Sequence, residues 1–316
     1  MLSTHMYPDA ACVELANVIA SKLNVSTDQL LFGNGSDECI HLLGLTFLDE
    51  GDEVVTGQPT FVLYEAAATL AGAKRIGVPL TDGDLRHDAE SMVKAFTEKT
   101  RLVIIANPHN PTGSIITKSD VDHILENLPS RAYLILDEAY VDYIDPESDF
   151  PFAIEYIKAG KPVIGLRTFS KMYGLAGFRV GYAVAAPDVI ASMQKPRSPF
   201  NVNILAQAAA IAASNDDTFV EASKTVNADG MAQLTLGAET LGMSVVPSHA
   251  NFILIDTKRP CRDVYDLLLR DGVIVRTGDI FGLPTMLRVT IGTQAQNEKF
   301  LDALTSAAAK VQPICG

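Results

Sequence analysis

The sequence predicts an α/β protein, with a mainly parallel central sheet in a large domain and a smaller α+β domain after it. From Pro8 to about Asn201, short apolar runs alternate with segments of helical period. Strands that alternate with helices in this way build a parallel sheet covered on both faces. After Asn203 the pattern changes, and 316 residues are enough for two cores. We therefore expect a large domain at 1–203 and a small domain at 204–316.

Each predicted element follows from the spacing of its apolar residues. Short apolar runs predict strands at 29–32, 53–56, 76–79, 102–106, 132–136, 163–167 and 181–185. Apolar residues at helical spacing predict helices between them at 10–23, 37–48, 61–71, 118–128 and 188–194. The second domain is predicted to begin with a long helical stretch at 204–241 that is interrupted near 214–217. It continues with strands at 244–246, 251–256, 274–276 and 287–291 and helices at 262–270 and 295–311.

The composition excludes several classes of function. The formal net charge is -13 and no long basic stripe is present, which disfavours binding to nucleic acids or anionic membranes. No apolar run reaches the ~20 residues that a membrane-spanning helix needs. The residues from Met1 to Met6 contain neither the basic start nor the apolar core of a signal peptide.

The cysteines and histidines predict no metal site. The cysteines show no CxxC spacing and no cluster with histidine, so we expect neither a disulfide framework nor zinc. They are Cys12, Cys39, Cys261 and Cys315. The six histidines form no metal-binding pattern, and His109 is interpreted as a loop residue. The sequence therefore predicts a cytoplasmic protein in a reducing compartment.

Lys171 is the most informative residue, because it follows an apolar strand and begins a segment rich in glycine and hydroxyl groups. A lysine at the end of a buried sheet is costly unless its charge is used or removed, and a neutral amine can form a Schiff base with an aldehyde. Asp137 and Asn110 also follow predicted strands, and ligands collect at the carboxyl ends of such strands. These three residues together predict a site for pyridoxal 5'-phosphate.

Asp137 has a role that electrostatics requires. Pyridoxal phosphate withdraws electrons while its ring nitrogen stays protonated, and a buried carboxylate beside that nitrogen keeps it so. A helix N-cap would also explain an aspartate after a strand, but Lys171 favours the cofactor. Asn110, which Pro111 keeps out of helical geometry, and Tyr140 are expected to reach the ring hydroxyl. A plain turn and a half-buried loop tyrosine are the alternatives. We predict Lys171, Asp137 and Tyr140 to be catalytic.

A phosphate seat is predicted where Gly33-Asn34-Gly35-Ser36 precedes a helix. Glycines before a helix leave backbone N–H groups free for an anion, and the helix dipole adds to the attraction. No Gly-Lys-Ser/Thr follows, so this is not a nucleotide-binding P-loop. Asp37 and Glu38 would have to point their side chains away from the phosphate. The predicted contacts to the phosphate are Gly35, Ser36, Asp37, Thr168, Ser170 and Arg179.

Three further side chains are candidates for the cofactor ring and the substrate. Tyr64 is predicted to stack on the ring, although a core-facing aromatic fits the same position. Arg276 and Arg288 lie on or beside apolar strands, which indicates an anionic ligand. A plain salt bridge at an edge strand would explain Arg276 equally well. We predict that Arg288, Arg276 and Asn110 bind the substrate.

The chain resembles the fold-type I aminotransferases, which depend on pyridoxal phosphate. Three stretches are highly specific in combination. They are Asn107-Pro108-His109-Asn110-Pro111-Thr112-Gly113, Asp137-Glu138-Ala139-Tyr140, and Ser170-Lys171 followed by Leu175-Ala176-Gly177-Phe178-Arg179-Val180-Gly181. Gly33-Asn34-Gly35-Ser36-Asp37-Glu38 and Ser198-Pro199-Phe200-Asn201-Val202-Asn203 narrow the resemblance to the histidinol-phosphate branch of this family.

The resemblance implies a homodimer with active sites at the interface. Tyr7 matches the tyrosine that the neighbouring subunit lends to the cofactor phosphate, and Arg288 matches the arginine that binds the substrate's anionic group. Lys171 is then the Schiff-base residue, and its free amine moves a proton between the two reacting carbons. Family members carry some tens of residues before the Tyr-Pro-Asp motif, which begins here at Tyr7. We therefore expect a truncated N-terminal arm, with effects on substrate closure and dimer contacts.

The reaction that the resemblance implies is transfer of an amino group between L-histidinol phosphate and 2-oxoglutarate, in histidine biosynthesis. Its partners are a small-molecule amino donor and a 2-oxo acid. An aromatic amino-acid aminotransferase shares the catalytic residues and stays open as an alternative, while a phosphothreonine decarboxylase is a more distant one. A non-catalytic module that binds pyridoxal phosphate, as in some transcription regulators, is the alternative from another class. Such regulators carry a DNA-binding helix-turn-helix, and the acidity of this chain argues against DNA.

Overall fold

Short runs rich in valine, leucine and isoleucine form a seven-stranded sheet in the computed structural model, which describes residues 4–145 and 148–314. The strands are β1 (Leu30–Gly33), β2 (Glu53–Gln58), β3 (Lys74–Pro79), β4 (Thr100–Ala106), β5 (Tyr133–Asp137), β6 (Val163–Thr168) and β7 (Gly181–Val184). Their order is β1-β7-β6-β5-β4-β2-β3, and β7 runs antiparallel to both of its neighbours. The other pairs are parallel, which confirms the predicted sheet. Cys315 lies outside the described residues.

Helices cover both faces of this sheet because successive strand residues are apolar on opposite sides. The helices are α1 (Val13–Leu23), α2 (Ser36–Phe47), α3 (Val62–Leu70), α4 (Ala89–Lys94), α5 (Lys118–Glu126), α6 (Ala153–Lys158) and α7 (Pro187–Gln194). Val103 and Ile105 of β4 belong to one buried cluster with α1, α4, α5 and α6. Leu102 and Ile104 belong to another with α2, α3 and α7. The sequence did not predict α4 and α6, since six residues span less than two helical turns.

A second, antiparallel sheet follows two more helices, α8 (Ile204–Ser214) and α9 (Asp217–Thr240). The predicted interruption between them is present, and the Asp216 side chain caps α9 by accepting a hydrogen bond from the N–H of Phe219. The remaining elements are β8 (Ser244–Val246), β9 (Phe252–Asp256), α10 (Cys261–Arg270), β10 (Arg276–Thr277), β11 (Met286–Thr290) and α11 (Gln294–Lys310). The strand order is β10-β11-β9-β8. The boundary at 203 and 204 stays a prediction.

The small sheet has its own core. Helices α9, α10 and α11 pack their apolar residues against β9 and β11 in a separate buried cluster. The strand predicted at 274–276 is wrong in its first two residues, because Ile274 is 79% exposed and only Arg276 begins the pairing with β11. Among the described residues, no helix is both long and apolar enough to cross a bilayer.

The carboxyl ends of β4, β5 and β6 define the edge where the predicted site residues meet. Strand register places Ala106 beside Asp137 and Asp137 beside Leu166. The segments that carry Asn110, Tyr140 and Lys171 leave the sheet from these ends. The small sheet contributes Arg288 of β11, whose side chain reaches Asn110.

Candidate active site

Asp137, the last residue of β5, is a carboxylate held inside the protein. It is 5% exposed and accepts hydrogen bonds from the Tyr64 hydroxyl at 2.6 Å and from the Ala139 N–H at 3.2 Å. Burial raises the pKa of Asp137 from 3.8 to about 6. A buried carboxylate is costly without a positive partner. A protonated ring nitrogen is such a partner, so this carboxylate suits the predicted cofactor.

The Nζ of Lys171 lies 5.2 Å from the centroid of the Tyr140 ring, so the amine approaches a nearly buried aromatic face. The Tyr140 ring in turn packs edge-on against Phe252 of the small sheet, with centroids 5.2 Å apart. No acidic residue forms an ion pair with Lys171 among the residues that the structure describes. The amine is therefore available to a ligand.

The N-terminus of α2 has the form of an anion seat. Its N-cap is Gly35, which makes no side-chain cap and has a φ of 77°. The first N–H groups of the helix are consequently free for an anion. A Cβ at Gly35 would lie 2.5 Å from Nη2 of Arg179, so glycine is required both for the backbone and for the approach of this cation.

Arg179 is held at this seat by side chains from two segments. Its Nη2 donates to Oδ2 of Asp37 at 2.9 Å, and its Nη1 lies 3.4 Å from Oγ of Ser170. Ser170 is itself linked to Thr168, whose hydroxyl donates to Oγ of Ser170 at 3.0 Å. The carboxylate of Asp37 pairs with the guanidinium that approaches the same seat, and its orientation relative to a bound phosphate stays a prediction.

The side chain of Glu38 contacts Asn201, a residue of the segment 198–203. The Nδ2 of Asn201 donates to Oε2 of Glu38 at 2.7 Å and to the carbonyl of Phe32 at 3.0 Å. Arg197 orients Asn201 by donating to its Oδ1 at 2.6 Å. The segment 198–203 thus holds the loop before α2 in place.

The ends of β4, β5 and β6 and the start of α2 enclose one space, which we call the inner cavity. It is lined by Ser36, Asp37, Phe61, Tyr64, Asn110, Asp137, Tyr140, Thr168, Ser170, Lys171 and Arg179, among others. Gly35 lies just behind it, against Arg179. The structure thus brings together most of the residues predicted to contact the cofactor, whose individual roles stay predictions.

A wider space, the outer cleft, continues from the inner cavity. The two share Phe61, Asn110, Tyr140 and Lys171, and the outer cleft adds Arg276 and Arg288. Arg288 donates through Nη1 to Oδ1 of Asn110, and its guanidinium lies 4.9 Å from the ring centroid of Phe252.

The two arginines of the outer cleft form a concentrated positive charge. Strand register pairs Arg276 directly with Arg288, and like charges in such positions repel. The Nε of Arg288 is buried without a hydrogen-bond partner, and burial with the charge of Arg276 lowers the pKa of Arg288. Neither arginine forms an ion pair with an acid among the described residues. Among the described residues, Arg276 therefore does not form the salt bridge that was the alternative explanation for it. An anionic ligand would neutralise the charge of both arginines and accept their hydrogen bonds.

Tyr64 and Tyr7, two of the predicted cofactor contacts, have surroundings that the sequence did not predict. Tyr64 is fully buried, and its hydroxyl binds Asp137, a contact that the sequence did not predict. Its ring lines the inner cavity, so the stacking role stays a prediction. Tyr7 lines neither space; it is 80% exposed and stacks on Phe200 with centroids 4.7 Å apart.

Sequence reasoning missed a buried pair of histidines behind the turn that carries Asn110. His109 is fully buried rather than a simple loop residue, and its ring lies 4.6 Å from that of His87. Its Nδ1 is 2.8 Å from Oγ1 of Thr112, which fixes the turn. Burial lowers the pKa of His87 to about 4, so the imidazole is neutral at pH 7. His87 lies in no motif, and no sequence signal could have paired the two.

Comparison with known proteins identifies the family. The model of the aminotransferase class I and II family matches residues 2–304. A histidinol-phosphate aminotransferase of Moorella thermoacetica is 48% identical over 300 residues, which cover 95% of this chain and 77% of the relative.

Solved structures agree with this result. The histidinol-phosphate aminotransferase of Sinorhizobium meliloti in complex with pyridoxal 5'-phosphate superposes with a TM-score of 0.90 at 28% identity, covering 97% of this chain and 84% of the other. The aspartate aminotransferase of Thermus thermophilus with maleate has a TM-score of 0.83 at 25% identity, covering 96% and 83%.

Proposed function

Because the chain belongs to the aminotransferase class I and II family, we propose that it transfers the amino group of L-histidinol phosphate to 2-oxoglutarate, in histidine biosynthesis. The cofactor is pyridoxal phosphate. The observation that carries the proposal is the inner cavity, where Lys171, Asp137 and the open N-terminus of α2 meet. The names of the relatives from M. thermoacetica and S. meliloti support the choice of amino donor.

The residues of the inner cavity match three parts of the cofactor. The free N–H groups at the start of α2, with Arg179 and the hydroxyl of Ser170, suit its phosphate. Asp137 suits the protonated ring nitrogen, and Asn110 and Tyr140, which line the same cavity, are proposed to bind the ring hydroxyl. When bound, pyridoxal phosphate supplies an electron-withdrawing ring that stabilises negative charge on the substrate's α-carbon.

Asp137 keeps the site electrostatically suited to that ring. A cation next to its carboxylate offsets the cost of burial and lowers the pKa that burial has raised. The hydrogen bond from the Tyr64 hydroxyl acts in the same direction, since it stabilises the ionised carboxylate. The protein thus holds a negative charge where a ring proton must be retained.

Lys171 moves the proton in this scheme. Its Nζ, the amine of the inner cavity, would attach the cofactor; once the amino group of the substrate displaces it, the free amine would take the proton from the α-carbon of the substrate. Tyr140 packs beside it, with Phe252 behind Tyr140, and the aromatic ring limits the access of water.

The outer cleft determines which substrates enter. Arg288 and Arg276 place two positive charges beside Asn110, and Arg288 is partly desolvated. Both the donor, with its phosphate, and 2-oxoglutarate, with its two carboxylates, carry the anionic groups that this arrangement favours.

We further propose a homodimer in which Tyr7 of one subunit completes the site of the other. Tyr7 and Met6 are 80% and 61% exposed, and the neighbouring Phe200 is 42% exposed, so an apolar segment faces solvent. Mixing a Lys171→Ala variant with a Tyr7→Ala variant tests the arrangement. Hybrid dimers contain one intact site, so about a quarter of the wild-type activity should return. No recovery on mixing would contradict a shared site.

The function itself is tested by the absorbance spectrum of the protein with pyridoxal phosphate. Adding L-histidinol phosphate should convert the bound cofactor to its amine form, and 2-oxoglutarate should reverse the change. Phenylalanine and aspartate serve as competing donors. A spectrum that responds to phenylalanine and ignores histidinol phosphate would favour the aromatic aminotransferase. A spectrum that responds to no donor would favour a binding module.

For the place of the reaction, we propose the cytoplasm. Cys12, Cys39 and Cys261 are free thiols in buried positions, as suits a reducing compartment. Fractionation of cells that express the protein, followed by an activity assay, checks this proposal.

A further inference from the structure

Arg75 is a third arginine of the outer cleft, and neither the motifs nor the pattern of strand ends singles it out. It lies on β3, the edge strand of the large sheet, and lines the cleft together with Arg276 and Arg288. Its side chain is only 17% exposed. An arginine that protects a sheet edge extends into water, whereas this guanidinium is directed into the protein.

The contacts of the Arg75 guanidinium leave it poorly satisfied. Its Nη2 lies 3.5 Å from Oε1 of Gln58, at the limit of a hydrogen bond, and its Nε lies 3.3 Å from Oε2 of Glu65 without hydrogen-bond geometry. Both Nε and Nη1 are buried with no hydrogen-bond partner. A guanidinium carries five N–H donors, and leaving buried charged donors unpaired is unfavourable. The group is therefore suited to receive an anion.

Gly77 makes the space in which this group lies. A Cβ at that position would be 2.1 Å from Oε1 of Gln58 and 2.8 Å from Nη1 of Arg75. The two polar side chains thus cross the edge strand where no side chain stands. The backbone of Gly77 needs no positive φ, so space is the reason that glycine is required.

An incoming anion can replace Glu65, the acidic side chain that lies beside Arg75. The side chain of Glu65 is 61% exposed, and ion pairs to exposed carboxylates contribute little to stability. Glu65 also lines the outer cleft, so a substrate anion that enters would meet Arg75 beside it. Phosphate and carboxylate oxygens fit the guanidinium fork better than this side-on contact.

We propose that Arg75 is a specificity-determining residue that binds the distal anionic group of a substrate, with Glu65 as its competing partner in the absence of substrate. The identity of the substrates rests on the proposed function; the presence of an anion subsite at Arg75 does not. Two groups share the required chemistry: the phosphate of the amino donor and the second carboxylate of the 2-oxo acid.

The test compares Arg75→Gln, Arg75→Lys and Glu65→Gln with the wild-type holoenzyme. Arg75→Gln should raise KM about ten- to a hundredfold for the substrate that uses the subsite, with kcat and the cofactor spectrum nearly unchanged. If KM rises for histidinol phosphate alone, the subsite at Arg75 binds the phosphate of the donor. If KM rises for 2-oxoglutarate alone, the subsite binds the second carboxylate of the 2-oxo acid. Arg75→Lys should recover part of the loss. Glu65→Gln should lower the same KM, because it removes the competing acid while Arg75 stays.

Inorganic phosphate separates this inference from the proposed function. It should inhibit the wild-type holoenzyme competitively, more weakly in Arg75→Gln and more strongly in Glu65→Gln, whichever amino donor the enzyme uses. KM values and phosphate inhibition within twofold of wild type in both variants would overturn the role of Arg75. A wild-type enzyme that ignores histidinol phosphate but shows these shifts would overturn the donor assignment and leave the subsite standing.

Discussion

The Tyr64 hydroxyl donates a 2.6 Å hydrogen bond to Oδ2 of Asp137, joining α3 to the end of β5. Both side chains are buried, and burial raises the pKa of each. The bond links two groups from segments far apart in the chain, at the point where we propose that the cofactor ring is held.

Replacing Tyr64 with Phe should weaken the binding of the cofactor and slow the reaction. The variant removes a hydrogen bond to an ionised carboxylate, worth about 1.5–3 kcal/mol, and the pKa of Asp137 should rise further. We expect the dissociation constant of pyridoxal phosphate to increase about tenfold or more. Equilibrium titration of the cofactor measures it. Tyr265→Phe, on α10 and partly buried against the core of the small sheet, is the control, and equal behaviour of the two variants would contradict this role of Tyr64.

Replacing Lys171 with Ala should abolish turnover without unfolding the protein. Its amine contacts the face of Tyr140 and carries no ion pair to an acid in the described residues, so little stability is lost. The visible absorbance change on adding pyridoxal phosphate should disappear. Lys195→Ala, at an exposed position after α7, should behave as wild type. An unchanged spectrum in Lys171→Ala would show that the attachment site is wrongly assigned.

Replacing Arg288 with Ala should affect the substrate more than the cofactor. Its guanidinium lies in the outer cleft and its Nε lacks a partner, so the loss falls on an anionic ligand. We expect KM to rise about ten- to a hundredfold, while the affinity for pyridoxal phosphate stays within a few fold. Steady-state kinetics and cofactor titration give the two values, with Arg270→Ala at the exposed end of α10 as the control. Equal loss of both affinities would mean that Arg288 supports the whole site.

Glu138 should be a large contributor to stability, although it follows the catalytic candidate directly. Its side chain is fully buried. The carboxylate accepts hydrogen bonds from Nε of Arg167 at 2.7 Å and from the N–H of Ala153 at 2.6 Å. Removing one partner of a buried ion pair costs about 3–5 kcal/mol, because the other charge is left unpaired. Urea unfolding of Glu138→Gln measures this loss.

The exposed pair of Glu90 and Lys94 is the matched comparison for Glu138. Glu90→Gln should change the free energy of unfolding far less than Glu138→Gln does, because exposed ion pairs contribute little. Adding Arg167→Met to Glu138→Gln should recover part of the lost stability. If the double variant is no more stable than the single one, the unpaired charge is not the cause.

His87 gives the stability a defined pH dependence. Burial lowers its pKa from 6.5 to about 4, so below pH 6.5 the unfolded chain binds a proton that the folded chain does not. The contribution is therefore fully present above pH 6.5 and is lost as the pH falls towards 4, by about 3 kcal/mol. Urea unfolding of the cofactor-free protein across this range measures the slope.

Two variants separate His87 from Asp137, another buried group whose pKa is shifted in this range. His109, whose pKa burial also lowers, acts with the same sign as His87 and is left in place in both variants. His87→Asn should flatten the fall of stability on acidification. Asp137 acts with the opposite sign: its pKa is raised, so its contribution is lost as the pH rises towards about 6. Asp137→Asn should therefore steepen the fall. A slope that His87→Asn leaves unchanged would place the proton uptake elsewhere.

Much of the site was predictable because each functional side chain lies next to the strand that carries it. Asp137 ends β5, Lys171 follows β6 and Asn110 follows β4, so the order of strands in the sequence also orders the site. The glycines before α2 gave the anion seat for the same reason: backbone geometry there is a local property. Where the sequence held no signal, as for the pairing of Asp37 with Arg179, the contact depended on a cation brought in from another segment.

The sequence by itself determined the α/β pattern, the lysine, aspartate and asparagine at strand ends, and the glycine-bounded helix start, since these depend on neighbouring residues and on apolar period. Only the tertiary structure decided that Tyr64 binds Asp137, that His87 packs on His109, and that Arg75 enters the outer cleft. The reason is physical. Such contacts are set by the packing of side chains from distant segments, and no local pattern records where a long or buried polar side chain will find its partner.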